Sequence, residues 1–226
     1  MRVYFISGLG ADWRVYSFLE LGFCEPVYVP WIEPLKNETL RSYAVRLRKT
    51  IPGKHPVIVG ISFGGMLATE MAKDDPESKV IILSSNKTSN EFPSYLRKLK
   101  LFPIYKWLPG AVIRRSALII KWFMAAKGKA QKKVLMEIIR DTDMKFVRWA
   151  IPAIFDWRND VCPPNVVHIH GTSDRVLPCG RVKADYIING GTHAMPLYAW
   201  REISEILRKL IVGDSNTQRL TAENEN

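Results

Sequence analysis

Two apolar rhythms run through the chain. Up to residue 83 they alternate, and over the next seventy or so residues only one of them remains. Short, continuous apolar runs at residues 2–6, 25–29, 57–59 and 79–83 have the length and the β-branched content of strands buried on both faces. Helical spacing fills the intervals. Residues 13–21 suit a short helix, and residues 39–51 bring Leu40, Tyr43, Ala44, Leu47 and Ile51 onto one face before Pro52 and Gly53 stop the pattern. A third apolar helix pattern runs from Phe63 to about Lys73. Strand and helix in alternation, with strands apolar throughout, predict an α/β fold: a mostly parallel sheet flanked by helices on both faces.

Past Ser84 the strand signal disappears. Residues 95–101, 112–126, 130–140 and 144–155 are helical in pattern, punctuated by Pro103, Pro109 and Pro152 and dense in large aromatics. Strand patterns return at residues 166–170 and 185–188, and a closing helix is expected over 196–211. The chain therefore divides into a core of residues 1–88 and 161–212, a helical insertion of residues 89–160 laid as a cap over the sheet, and a polar, aperiodic tail of residues 213–226.

The candidate chemistry sits where strands end. Val57, Ile58 and Val59 run into Gly60-Ile61-Ser62-Phe63-Gly64-Gly65, a G-x-S-x-G sequence between a strand and a helix. Such a serine sits on a sharp turn with its hydroxyl carried away from the sheet. Its flanking glycines allow backbone to approach backbone. The helix that starts beside it turns free N–H groups toward any developing negative charge. Asp174 ends the strand at 166–170, and His193 follows the strand at 185–188 after Gly190-Gly191-Thr192. All three belong to the C-terminal ends of strands, where open parallel sheets bind ligands.

A serine hydroxyl needs a base to take its proton as it attacks, and neutral imidazole has the right affinity. A carboxylate would hold that imidazole in one tautomer and stabilise its cation. The glycine loop Ser7-Gly8-Leu9-Gly10-Ala11-Asp12 does not fit a nucleotide fingerprint, because Trp13 stands where a third glycine belongs. Asp12 in that loop either caps the helix beginning near Trp13 or touches substrate.

Composition narrows the picture. The 226 residues are 47% hydrophobic and 24% charged, which suits one domain with an insertion. Cys24, Cys162 and Cys179 are odd in number and widely spaced, against a disulfide framework or a metal site and for a reducing, cytoplasmic setting. His168 and His170 share a strand face and read as a strand end entering a loop rather than as a metal pair. No signal-peptide pattern follows Met1-Arg2, and no apolar run approaches the roughly 18 residues of a membrane span.

Net charge is +11, and residues 89–160 carry 15 Lys and Arg against 6 Asp and Glu. That excess is either a solvated outer face or a site for an anionic group. Without a helix-turn-helix or zinc pattern it does not point to nucleic acid.

Four motifs together resemble the α/β-hydrolase superfamily over essentially the whole chain: S-G-L-G-A-D at 7–12, G-I-S-F-G-G at 60–65, H-G-T-S-D-R-V-L-P at 170–178 and G-G-T-H-A-M at 190–195. The resemblance implies a minimal α/β-hydrolase fold that lacks the usual first two strands, with the helix after Pro178 shortened or missing. It implies Ser62, Asp174 and His193 as a catalytic triad and the backbone N–H groups of Leu9 and Phe63 as the oxyanion hole. The expected activity is hydrolysis of an ester or thioester through an acyl-enzyme, with no metal and no cofactor.

Cap aromatics, with Trp122 and Trp149 as candidates, would form an apolar acyl pocket, and the basic cap would favour an anionic group on the small-molecule substrate. Two other readings stay open. One is a lyase or C–C hydrolase built on the same triad, for which Arg114, Arg115 or Arg148 could line the pocket. The other is a basic-cap protein that binds an anionic membrane surface or a partner.

Overall fold

The computed structural model describes residues 1–93 and 128–213. Six strands form one sheet: β1 (Arg2–Ile6), β2 (Glu25–Tyr28), β3 (Val57–Ile61), β4 (Lys79–Leu83), β5 (Val166–Gly171) and β6 (Tyr186–Ile188). Their spatial order is β2-β1-β3-β4-β5-β6, and every pairing is parallel. The chain leaves β1 toward one edge to make β2, then returns to place β3 on the other side of β1. Loops leaving β1 and β3 therefore diverge, and the crevice between them is where such sheets take ligands.

Alternation along each strand explains why the runs are apolar throughout. Tyr4, Ile6, Ile58, Val80, Ile82 and Val166 enter one core with helices α1 (Leu40–Arg48) and α2 (Phe63–Asp74). Val3, Phe5, Val59, Ile61, Ile81, Leu83 and Ile169 enter a second core, closed by α5 (Trp200–Val212) through Ile203, Leu207 and Ile211. The four inner strands serve both cores; β1, β3 and β4 are largely apolar on both faces, whereas β5 also buries His168 and His170.

Helix α1 shows how the pattern becomes structure. Thr39 caps it reciprocally with Ser42, each side chain taking the other's backbone N–H at 3.1 and 3.0 Å. Nine residues are too few for a stable isolated helix. Burial of Leu40, Tyr43, Ala44 and Leu47 supplies what propensity lacks, at about 1.5–3 kcal/mol for each large side chain.

Within residues 89–160, helices α3 (Lys129–Asp141) and α4 (Met144–Asp156) are described; the patterns at 95–101 and 112–126 lie outside the described residues, as does the tail beyond Gly213. The two helices pack into different cores. Ile138 of α3 joins the second core, and Phe146, Ala150 and Ala153 of α4 join the first. A buried knot anchors the end of α4. Trp157 Nε1 donates to Glu70 Oε1 at 2.7 Å, and Glu70 also meets Lys73 Nζ at 2.7 Å and Arg41 Nη1 at 3.2 Å.

Two elements differ from expectation. The helix expected over 13–21 is a single 3-10 turn, Trp13–Tyr16. Val15, Tyr16, Leu19 and Leu21 are all buried, so core contact rather than a continued helix fixes this path. The closing helix begins at Trp200 and not near Pro196, which instead sits in a 3-10 turn, Met195–Leu197. After Pro178, where a shortened or missing helix is expected, only the short turn Cys179–Arg181 precedes β6.

Candidate active site

Ser62 stands between the end of β3 and the first turn of α2 with φ 52° and ψ −118°. That conformation costs about 1–3 kcal/mol unless its surroundings enforce it. They do. Ser62 N–H donates to Leu83 O at 2.9 Å, and its carbonyl accepts from Gly65 N, Met66 N and Ser85 Oγ at 2.9, 3.1 and 2.7 Å. A Cβ on Gly60 would lie 2.5 Å from Gly64 O, and one on Gly64 would strike the carbonyl oxygens of Ser7 and Ile6. Glycine is required at both because main chain already fills the space.

Asp174 lies in the turn after β5. Its Oδ1 accepts from Val176 N and Leu177 N, both at 2.8 Å, which leaves Oδ2 for His193 Nδ1 at 2.8 Å. His193 Nε2 is 2.9 Å from Ser62 Oγ. The loop that carries His193 is held by Ser173 N–H on Gly191 O at 2.8 Å, by Gly190 N–H on Thr172 Oγ1 at 2.8 Å, and by Tyr198 Oη, which bonds both the backbone and the hydroxyl of Thr192.

Burial by itself raises the Asp174 carboxyl's proton affinity. The His193 charge, the His193 hydrogen bond and the Leu177 N–H outweigh it and hold the group below the ordinary carboxylate range. An ionised Asp174 makes Nδ1 of His193 the protonated nitrogen and leaves Nε2 bare toward the serine hydroxyl. This arrangement can take the serine proton as the oxygen attacks an electrophile.

Beneath Asp174 the histidines of β5 form a second buried chain. His170 Nε2 donates to Leu177 O at 2.8 Å and lies 3.6 Å from Asp174 Oδ2. With Nε2 protonated, neutral His170 presents a bare Nδ1, which accepts from His168 Nε2 at 3.0 Å. Burial, chiefly, lowers the proton affinity of both rings. The sharing of a strand face by these two was legible from their spacing, and the structure turns them to each other. Among the described residues no group of His, Cys, Asp or Glu could hold a metal ion.

Ser62 and His193 open into a cavity of about 410 Å³. Leu9 and Phe63 are among the residues that line it. Apart from Asn86 and Thr142, its walls are otherwise apolar, with Ile138, Val147, Ile151 and Ile154 from α3 and α4, and with Phe92 and Leu177. No lysine or arginine is among the described lining residues, Arg148 included.

Asp12 is not in this lining. It caps the 3-10 turn by accepting from Arg14 N at 2.9 Å and pairs with the Arg14 guanidinium, so of the two roles open to it the structure shows the cap. Trp149 is not in the lining either. Its Nε1 donates to Glu38 O at 2.9 Å while its ring packs on Tyr43, Phe63 and Phe146. Trp122 lies outside the described residues, with Arg114 and Arg115.

Reasoning from sequence passed over Ser85, Asn86 and Thr142. The run Ser84-Ser85-Asn86 was visible as polar residues at the end of a buried strand, and that was their signal. Ser85 braces the Ser62 carbonyl. Asn86 is fully buried in the cavity wall, and among the described residues neither its Oδ1 nor its Nδ2 has a partner. Leaving a buried donor or acceptor unpaired costs about 1–3 kcal/mol. Thr142 Oγ1 lies 2.8 Å from Gly10 O and 3.0 Å from Ile138 O, joining the end of α3 to the first glycine loop.

Comparison by sequence with the curated proteins gives no match. Solved structures resemble the chain in fold. One is a hydrolase from Pseudomonas aeruginosa PA01, 10% identical, with a TM-score of 0.70 over 93% of this chain and 89% of that one. Another is a lipase-esterase related protein from Clostridium acetobutylicum, 12% identical, with a TM-score of 0.68 over 93% and 94%. A thermophilic esterase from Thermogutta terrifontis is 13% identical, with a TM-score of 0.65 over 92% and 88%. The family model described as the Alpha/beta hydrolase family matches residues 3–206. With that span matched and an all-parallel sheet carrying a serine at the turn into α2, the chain belongs to the alpha/beta hydrolase family.

Proposed function

We propose that this protein is a serine hydrolase that cleaves an ester or thioester of an apolar acyl group through a covalent acyl-enzyme. The observation that carries the reading is the hydrogen-bonded series Ser62–His193–Asp174 opening into an apolar cavity. Ser62 Oγ attacks the carbonyl carbon while His193 Nε2 takes its proton. The tetrahedral oxyanion collapses, the C–O or C–S bond breaks, and His193 returns the proton to the leaving alcohol or thiol. Water then repeats the sequence on the acyl-enzyme, freeing the acid and Ser62. Asp174 orients His193 and stabilises its cation without taking the proton. The N–H groups of Leu9 and Phe63 receive the oxyanion, and the loss of one such donor lowers kcat by about 100–1000-fold.

The substrate end that enters the cavity is uncharged, since the described lining offers no lysine or arginine to pair with an anion. The test is labelling by a fluorophosphonate together with turnover of p-nitrophenyl esters of graded length, on the native chain and on Ser62→Ala. Labelling and turnover that both vanish in the variant are expected. Turnover that survives in Ser62→Ala would remove the reading.

A further inference from the structure

Every polar side chain in the described cavity wall is engaged except one. Ser62 and His193 bond each other, and Thr142 Oγ1 is within reach of two carbonyls. Asn86 bonds nothing among the described residues, although it is wholly buried. Its chain neighbours make the contrast sharper. Ser85 Oγ donates to Ser62 O at 2.7 Å, Lys87 N–H donates to Glu91 Oε2 at 2.6 Å, and Lys87 Nζ pairs with Asp185 at 2.8 Å. The backbone is therefore fixed on both sides of an amide that has no partner among the described residues. A fold that merely needed to fill this space could do so with leucine, which is close in volume and carries no polar atom to desolvate.

We propose that Asn86 is a substrate-recognition residue that hydrogen-bonds a hydroxyl carried by the acyl chain near its reacting carbonyl. This rests on the reading of Ser62 as the nucleophile. Three observations select the ligand group. The amide is neutral and the described lining holds no lysine, arginine, aspartate or glutamate, so a charged group would be buried unpaired. Both the acceptor Oδ1 and the donor Nδ2 are open, which matches a group able to donate as well as accept. Asn86 directly follows Ser85, which touches the Ser62 carbonyl, so the partner lies near the scissile bond and the rest of the acyl chain runs along the apolar wall of α3 and α4. A site built to bond a hydroxyl discriminates against the analogue that lacks it, because the analogue leaves the buried amide unpaired.

The experiment compares p-nitrophenyl octanoate with its analogues bearing a hydroxyl on the second, third or fourth carbon, on the native chain and on Asn86→Leu. One hydroxy ester should exceed the plain ester in kcat/KM by about tenfold, the worth of one neutral hydrogen bond, and in Asn86→Leu that ratio should fall to about one. No advantage for any hydroxy ester, or an advantage that survives in Asn86→Leu, overturns the proposal. So does an equal fall for all four esters, which marks a packing role. If Asn86→Leu does not fold by circular dichroism, Asn86→Ala takes its place with the same expectation.

Fluorophosphonate labelling separates the two readings. A native chain that neither labels nor turns over any ester loses the hydrolase reading. Asn86 is then judged by calorimetric binding of the corresponding hydroxyoctanamides and octanamide, which are neutral. A preference for a hydroxy amide that disappears in the variant sustains the site, and equal binding removes it.

Discussion

At the turn around Ser62, main chain lies against main chain. A Cβ on Gly60 would meet Gly64 O at 2.5 Å, and one on Gly64 would meet the Ser7 and Ile6 carbonyls. Across the cavity, α3 and α4 meet the sheet through side chains: apolar ones such as Ile138 and Phe146, and a few polar links such as Trp149 to Glu38, Trp157 to Glu70 and Thr142 to Gly10. Backbone contact leaves no slack, whereas side-chain contact can re-form after a small shift. The half of the site that would perform chemistry is thus fixed by sterics, and the half that would choose the substrate is fixed by contacts that can be exchanged one at a time. Substitutions should divide the same way.

The largest effect should come from Asp174→Asn. The asparagine oxygen can keep the N–H groups of Val176 and Leu177, which now bond Oδ1 at 2.8 Å, so the turn survives. Its amide nitrogen would face His193 Nδ1 and favour the wrong tautomer, with Nε2 protonated toward the serine. Turnover of p-nitrophenyl esters should fall by about 10,000-fold while thermal unfolding changes little. A fall of less than tenfold would show that His193 does not act as the base through this pair.

Next in size is Gly64→Ala. One methyl group is driven into two carbonyl oxygens that belong to β1 and its loop, and neither can move without breaking the sheet. The expected loss is about 3 kcal/mol or more in urea unfolding, or no folded protein at all. A variant that unfolds within about 1 kcal/mol of the native chain would mean that the turn has slack, and the contrast drawn above would lapse.

How much of this was legible follows the same division. The strands and the Ser62 turn announce themselves locally, because continuous apolar runs and close-packed glycines are properties of a few adjacent residues. Ser62, Asp174 and His193 could be paired from sequence because each follows a strand, and parallel strands deliver their C-terminal ends to one side. The short turn at Trp13–Tyr16 was not legible as such, since Val15, Tyr16, Leu19 and Leu21 suit a helix or any path that faces the core. Trp149 read as a pocket aromatic and lies outside the cavity lining, because nothing local says which side of α4 faces the hole. Asn86 and Thr142 matter only for what they meet, or fail to meet, from distant parts of the chain.

Acid should act through the base of the site before it reaches the carboxylates. Burial first, together with the mutual charge of the pair and Lys87, lowers the proton affinity of His168; burial also lowers that of His170 despite the nearby Asp174 carboxylate. Both rings resist protonation in the folded chain and are free to protonate once it unfolds. Below their ordinary value of 6.5 the unfolded state takes up protons that the native state refuses, so stability is complete above that pH and falls as pH drops. The slope is at most about 1.4 kcal/mol per pH unit for each ring. Asp174, held below the ordinary 3.8, adds its own loss only in stronger acid. Urea midpoints measured between about pH 5 and 7 should therefore decline, and His168→Leu should flatten the decline. An unchanged slope would assign the acid sensitivity elsewhere.

The smallest change probes the joint between the two halves. Thr142, at the end of α3, bonds the carbonyl of Gly10, one residue beyond Leu9 in the loop that would supply an oxyanion donor. Gly10 has φ +69°, and a Cβ there would lie 3.0 Å from Thr142 Cγ2. Asp141, the neighbouring residue, reaches Arg14 at 2.9 Å, and Arg14 in turn holds Asp12. Asp12 and Asp141 are about two-fifths exposed, so these ion pairs contribute little to stability. Thr142→Val keeps the shape of the contact and removes its hydrogen bond, at a cost of about 1 kcal/mol or less. If the bond sets the position of Leu9, kcat should fall several-fold while KM for a short ester, which barely reaches α3 and α4, stays within a factor of two or so of the native value. A purely structural link would lower the melting temperature and leave kcat untouched. A rise in KM alone would place Thr142 with the substrate-choosing wall instead of with the oxyanion loop, and would move the boundary between the two halves by one residue contact.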